Sequence, residues 1–428
     1  MTVVQLVAVA LAPLLVVYVV ACFRDPLRYA LPPYAVLLPF SSLVSIGPGP
    51  FGSVSSLQGL LLGSALVAQL ATSRRSAPRI ALSVPVWLAF VALCGFSVYW
   101  SVAPLLTVQN VLVLASLVLL FVALALTRFD PLTLRRFENS IVLGGGLVVC
   151  YGLAQLLFLG GLPAPDGRGA RFGNDLLGAN LQAAFLLFPI AIVAARALTG
   201  PPRARVANVL VMLLLLFGLL MTGSRGGLLS LVVVLGVITL LASARLATKN
   251  ALAAIAVVLL VGVLVLNPAG IGQRQLQGTD SSGRADIWTV GWQACLDHCA
   301  TGAGWGSFPR VYADQLSSVP EARVLHRGTT WEAHNIFLLA VVEVGVAGVL
   351  LVLLGLGLAL RSAVRLPPSL RAPPLATLLG TVLSSFFLSS LNFKFFWIVL
   401  AYVAVSETVA ITAREHTVID APRPASVL

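Results

Sequence analysis

Long apolar runs alternate with short polar joints along almost the whole chain. The runs fall near 3–22, 30–46, 53–71, 80–99, 105–127, 139–160, 176–198, 206–222, 227–244, 250–267, 335–360, 373–391 and 395–413. Most are about as long as the ~20 apolar residues a helix needs to cross a hydrocarbon core roughly 30 Å thick. They are apolar on every side, and a single soluble core cannot bury so many such helices. The pattern predicts an all-α polytopic integral membrane protein with 12–13 transmembrane helices. The second run contains Pro32, Pro33 and Pro39, which predict a bent or re-entrant segment; without that crossing the number is twelve. Ten spans lie in residues 1–267 and three in 335–413. Between them, 268–334 reads as one large polar loop module, and 414–428 reads as a tail. The first run has no basic residue ahead of it, so it is expected to be a retained span rather than a cleaved leader.

Composition agrees with this pattern. The 428 residues are 59% hydrophobic and 10% charged, with a mean hydropathy of +0.99, whereas soluble domains carry roughly 25% charged residues. A formal charge of +12 would suit a nucleic-acid partner, but the basic residues are distributed by topology, and no nucleic acid is expected. Alternate joints hold Arg24 and Arg28; Arg74, Arg75 and Arg79; Arg128, Arg135 and Arg136; Arg196, Arg203 and Arg205; Arg245 and Lys249; Arg361, Arg365 and Arg371; and Arg414 and Arg423. The short joints at 47–52 and 101–104 have none. By the positive-inside rule the first set is cytoplasmic. The loop module, Arg225 and the 160–175 joint are then external. Trp100, Trp331 and Trp397 lie near span ends, where interfacial anchors are expected.

The external side carries the candidate chemistry. In Thr222-Gly223-Ser224-Arg225-Gly226-Gly227, three glycines allow a tight turn and close approach of a ligand. Arg225 is the lone charge between Arg205 and Arg245. It either caps a hairpin at the interface or binds an anion, and its planar fork suits a phosphate. Further on, Ser281 or Ser282 can cap a helix that holds Arg284, Asp286, Trp288 and Trp292. A helix N-terminus beside an arginine favours anions; an amphipathic helix lying on the bilayer is compatible with the same residues. Gly302-Ala303-Gly304-Trp305-Gly306-Ser307-Phe308 lacks the lysine of a nucleotide loop and is expected to turn tightly and expose aromatic surface. His334-Asn335 opens the next span, at the depth of lipid headgroups, and neutral imidazole is a natural general base. Glu343, inside that span, should have a structural partner. Cys295 and Cys299 flank His298 with too few ligands for a metal site; they are either a disulfide or two thiols. Asp166, Arg168, Arg171, Asn174 and Asn180 form a polar stretch that could line a substrate or could simply be a loop.

Taken together, these motifs resemble the O-antigen ligase and polymerase superfamily. The resemblance rests on Thr222 to Gly227, Gly283-Arg284 with Trp288, the glycines 302, 304 and 306 with Phe308, and His334-Asn335 followed by Glu343-x-Gly345-x-x-Gly348. Arg171-Phe172-Gly173-Asn174 through Asn180, and Ser101-Val102-Ala103-Pro104, are similar to that family as well, although Ala103 stands where an acid is common. The resemblance implies a membrane-embedded GT-C-type glycosyltransferase of lipopolysaccharide biosynthesis, most like the ligases. It implies a glycan donor on undecaprenyl diphosphate, a lipid A–core acceptor, and an active site on the periplasmic side of a bacterial inner membrane. No cofactor and no metal are expected. His334 would be the catalytic base, Arg225 and Arg284 would bind the diphosphate, and Arg171, Asn180, Asn335 and Trp288 are candidate substrate-lining residues.

A polymerase of the same superfamily would use the same donor chemistry with a second lipid-linked glycan as acceptor. A transporter or flippase for a lipid anion would want charges or broken helices at mid-membrane, whereas here the charged candidates gather at one face. A non-enzymatic scaffold would leave the arginine and histidine set without a role.

Overall fold

The computed structural model describes residues 3–43, 51–72, 81–158, 171–242, 284–319 and 331–419, with a few isolated positions between them. Its helices are α1 (Val3–Arg24), α2 (Pro26–Tyr29), α3 (Leu31–Leu37), α4 (Val54–Thr72), α5 (Val84–Phe96), α6 (Pro104–Leu126), α7 (Pro131–Phe158) and α8 (Ala179–Thr199), followed by α9 (Pro202–Met221), α10 (Arg225–Leu241), α11 (Arg284–His298), α12 (Phe308–Gln315), α13 (Ile336–Arg365), α14 (Pro368–Ser385) and α15 (Lys394–Ile419). No β-strand occurs among the described residues. Proline opens α2, α6, α7, α9 and α14, because its missing N–H costs nothing in a first turn and its φ is already helical.

The chain is an all-α, multi-pass membrane protein. Among the described residues, α4, α6, α7, α8, α9, α13 and the Lys394–Ala413 part of α15 are long and apolar enough to cross a bilayer. Shorter apolar helices cover Ala12–Arg24, Val84–Tyr99 and Arg225–Leu241. The run at 30–46 makes no crossing helix: α3 is seven residues long and passes into one 3-10 turn at Leu38–Phe40. At about 1.5 Å per residue this is far short of the hydrocarbon thickness, as its prolines predict. Most of the run at 250–267 lies outside the described residues, and so does 268–283 of the loop module.

Helices α8 and α15 form the centre. Their most apolar stretches are 89% and 83% buried inside the protein, against 33–50% for the other crossing helices, so lipid can reach little of either. Gly145 and Gly218 sit where a Cβ would strike Pro189 and Val149; their smallness lets α7, α8 and α9 pack closely. Near the end away from the candidate residues, Arg196 pairs with Glu138 at 2.6 Å, and Tyr402 donates to the other oxygen of Glu138 at 2.6 Å. That clasp ties α7, α8 and α15 together inside a poorly solvating interior, where isolated charges are costly.

Trp397 is not an interfacial anchor. It is buried, stands edge-on to Trp87 at 5.0 Å between centroids, and donates its indole N–H to the Leu391 carbonyl at 2.8 Å. Trp100 keeps an exposed edge and donates to the Thr301 carbonyl at 3.1 Å.

Helix α13 breaks at Gly345 (φ 73°, ψ −171°), a backbone region that is essentially glycine-only. The break frees carbonyls that the 302–306 turn uses: Ala303 N–H donates to Val342 at 2.9 Å, Gly304 N–H to Glu343 at 2.8 Å, and Val346 N–H returns to Cys299 at 2.8 Å. The turn therefore docks inward rather than presenting aromatic surface. Trp305 and Phe308 are fully buried, and Trp305 packs edge-on against Phe90 at 5.5 Å. Glu343 has the structural role expected of it, with its carboxylate accepting the Phe308 N–H at 2.9 Å.

Candidate active site

Several connections that are remote in sequence meet at one end of the bundle. Val102 N–H donates to the Ala303 carbonyl at 2.9 Å, and Phe172 N–H to the Met221 carbonyl at 3.2 Å. His334 N–H donates to Ser389 Oγ at 3.1 Å. Every one of these joints belongs to the set with few basic residues, which the charge pattern puts on a single side.

The turn that carries Arg225 is built from its own side chains. Thr222 ends α9, Gly223 takes φ 61°, and Ser224 caps α10 by accepting the Gly227 N–H at 3.2 Å. A hydroxyl at this position satisfies an N–H that has no partner within the helix. Gly226 lies against Phe387, and a Cβ on Gly227 would meet Ala183 at 2.7 Å, so only glycine lets α10 approach α8 this closely. Arg225, the first residue of α10, is exposed.

Arg171 secures this turn. Its Nε donates to the Thr222 carbonyl at 2.7 Å, and its terminal nitrogen donates to Asn180 Oδ1 at 3.0 Å. The segment bearing Arg171 is in turn held to α7 by Asp175, which accepts from Tyr151 at 2.8 Å and Gln155 at 2.7 Å. Arg171 and Asn180 thus brace the turn, and Asn180 also lines a small cleft with Ser224, Arg284, Ser384 and Phe387.

Arg284 is the first residue of α11 and points at the same cleft. Its guanidinium lies 5.7 Å from the centre of the Phe387 ring, an arrangement that favours a planar cation. Burial lowers its pKa, and the like charge of Arg225 lowers it further. Among the described residues no carboxylate forms an ion pair with Arg284. Two guanidiniums brought together at two helix N-termini create a local demand for negative charge.

His334 is held in a costly shape. It is the one non-glycine among the described residues with positive φ, at 47°. Three elements impose that shape. Trp288 on α11 donates its indole N–H to the Ala333 carbonyl at 3.1 Å. Ser389, between α14 and α15, takes the His334 N–H. Asn335 caps α13, with Oδ1 accepting from Phe337 at 2.9 Å and Leu338 at 3.0 Å. Trp288 and Asn335, candidates for lining substrate, use these groups to fix the residue between them. Strain over-determined by its surroundings points to a functional position. The sequence held no signal for Ser389 or Phe387, because each acts only through a residue more than fifty positions away.

Glu332 reaches Ser389 as well. It keeps a solvent-exposed edge, yet the protein around its carboxyl raises the pKa above the ordinary value, with the Ser389 hydrogen bond pulling the other way. Beyond the cleft, Cys295 in the last turn of α11 forms a disulfide with Cys299, the residue that follows the helix, with Cα atoms 4.7 Å apart.

Residues 210–353 match the family model described as O-antigen ligase. This stretch is similar to the O-antigen ligase family. It runs from α9 into α13 and contains Arg225, Arg284, His334 and the Gly345 break, so the family match and the geometric cluster fall on the same residues. The resemblance to the O-antigen ligase and polymerase superfamily is therefore borne out. A search of curated proteins finds no match. Residues on either side of the matched segment contact it: Arg171 donates to the Thr222 carbonyl, and Ser389 accepts the His334 N–H.

Proposed function

We propose that this protein is an O-antigen ligase of a bacterial inner membrane. It would move a glycan from undecaprenyl diphosphate to a hydroxyl of lipid A–core at the periplasmic face. Arg225 and Arg284 hold the donor diphosphate and neutralise the charge that grows on it as it leaves. His334, as neutral imidazole, takes the proton of the acceptor hydroxyl. The acceptor oxygen then bonds to the anomeric carbon from the face opposite the diphosphate, the carbon–phosphate oxygen bond breaks, and the configuration inverts. No metal or other cofactor takes part in this scheme.

One observation carries the reading. A strained histidine and two converging guanidiniums share one end of a membrane bundle, and Ser389 and Phe387 lie two residues apart on the loop that touches both. A lipid-linked donor explains why that machinery sits where spans end. The test is direct: incubate purified protein with undecaprenyl diphosphate glycan and lipid A–core, in EDTA, and look for the joined product. Product formation supports a metal-independent ligase. Chain growth on the lipid carrier, with lipid A–core left unmodified, would assign the protein to the polymerases instead.

A further inference from the structure

A second polar cavity opens beside the C-terminal end of the 386–393 loop and shares no lining residue with the arginine cleft. Its volume is about 420 Å³, within the roughly 300–1,000 Å³ of small-ligand sites. Its polar lining includes Ser41, Ser53, Ser56, Asn392 and Lys394, with Phe393 beside them. The Lys394 ammonium donates to Ser55 Oγ at 2.6 Å and Ser53 Oγ at 3.2 Å. Among the described residues no carboxylate forms an ion pair with it. Lys394 is also the first residue of α15, so its charge adds to the positive end of a long helix instead of opposing the negative one. Asn392 contributes a buried carbonyl oxygen that has no hydrogen-bond partner among the described residues.

These groups describe a ligand. A lysine held by hydroxyls at a helix N-terminus calls for an anion. The serine hydroxyls that line the cavity, together with the Asn392 carbonyl that has no hydrogen-bond partner among the described residues, suit a molecule rich in hydroxyl groups, and a phenyl ring offers a face for its C–H surface. We propose that this cavity binds an acidic saccharide, a sugar bearing a carboxylate or a phosphate, with Lys394 as the counter-ion. The site is separate from the arginine cleft but tied to it, since the loop that ends at Lys394 also carries Phe387 under Arg284 and Ser389 on His334. It would hold a charged sugar of one of the two glycans while the arginines hold the diphosphate. The saccharide half of the assignment rests on the glycan-transfer reading; the anion half rests on Lys394 alone.

The experiment is a binding measurement on the full-length protein in phosphatidylcholine nanodiscs, by calorimetry, with glucuronate, glucose 1-phosphate, glucose and inorganic phosphate as probes. Glucuronate and glucose 1-phosphate should bind more tightly than glucose. Lys394→Gln should weaken both by about tenfold or more, as loss of a desolvated charge partner does, and Arg225→Ala should leave glucuronate binding unchanged. Asn392→Asp, close in shape but negative, should weaken the acidic probes and spare glucose, which covers the case in which Lys394→Gln fails to fold. Glucuronate binding that survives both Lys394→Gln and Asn392→Asp, or that is lost in Arg225→Ala, would overturn the proposal. Phosphate binding that is lost in Lys394→Gln and is as tight as that of glucose 1-phosphate would overturn the saccharide assignment. All of these outcomes can be read whether or not the ligase reaction is observed.

Discussion

The backbone N–H of His334 donates to Ser389 Oγ at 3.1 Å, a bond that links the start of α13 to the loop before α15. It holds an imidazole-bearing residue at φ 47°, where a side chain other than glycine rarely rests. The same loop places Phe387 under Arg284. One short segment therefore sets the position of both the proposed base and one proposed phosphate ligand.

Ser389→Ala should release His334 without touching any charge. Misplacement of a catalytic group by about 1 Å can cost about 10²-fold in rate, so kcat should fall by up to that factor while KM for the donor changes little. Ser389→Thr, which keeps the hydroxyl, should restore most of the rate. Steady-state kinetics with both variants checks this; equal loss in both would mean that the serine matters for packing alone.

Arg225→Ala and Arg284→Ala should each lower turnover by about 10²–10³-fold, the usual cost of removing a donor aimed at developing negative charge. Lysine should rescue poorly at either position, because an ammonium cannot make paired contacts with phosphate oxygens. Full activity of both lysine variants would reduce the arginines to charge balance.

The membrane architecture was legible in the sequence, because long apolar runs are a local signal, and Arg225, Arg284 and His334 could be picked out there as candidates whose roles the proposed function takes up. Pro32, Pro33 and Pro39 likewise announced the bent second run. The 302–308 turn was misread as exposed: its glycines were visible, but their partner is a break in α13 more than thirty residues later. Trp397 was misread as an anchor for a related reason, since a tryptophan near a span end looks the same in sequence whether lipid or Trp87 faces it. Arg171 was legible as a candidate, but its bracing of the Thr222 turn depends on a contact across fifty-one residues, which no spacing rule reports.

Gly345→Ala tests that docking. A Cβ there would meet the Ala300 carbonyl oxygen at 2.4 Å, on a backbone with φ 73°. Overpacking of this kind typically costs about 1–3 kcal/mol, so thermal unfolding in detergent should shift down measurably. Gly357→Ala, on the same helix with open space around its Cα, should not shift it. Similar melting of the two variants would mean that the break is not what seats the turn.

Orientation follows from the distribution of arginine. A reporter fused after Leu428 should read cytoplasmic, and one inserted between Ser317 and Ser318, both exposed, should read periplasmic. The reverse at either position would put the arginine cleft on the wrong side for the proposed donor and acceptor.

The most direct measurement is single-site replacement of His334 in the reconstituted transfer reaction. Positioned proton transfer contributes about 10²–10⁴-fold, so His334→Ala should lower turnover by that order while donor binding, held by the arginines, stays near wild type. The wild-type rate should fall in acid, since only neutral imidazole accepts a proton, and the variant's residual rate should lose that dependence. His298→Ala should remain largely active. Wild-type-like transfer by purified His334→Ala, or the same acid-dependent fall in its rate, would contradict the account.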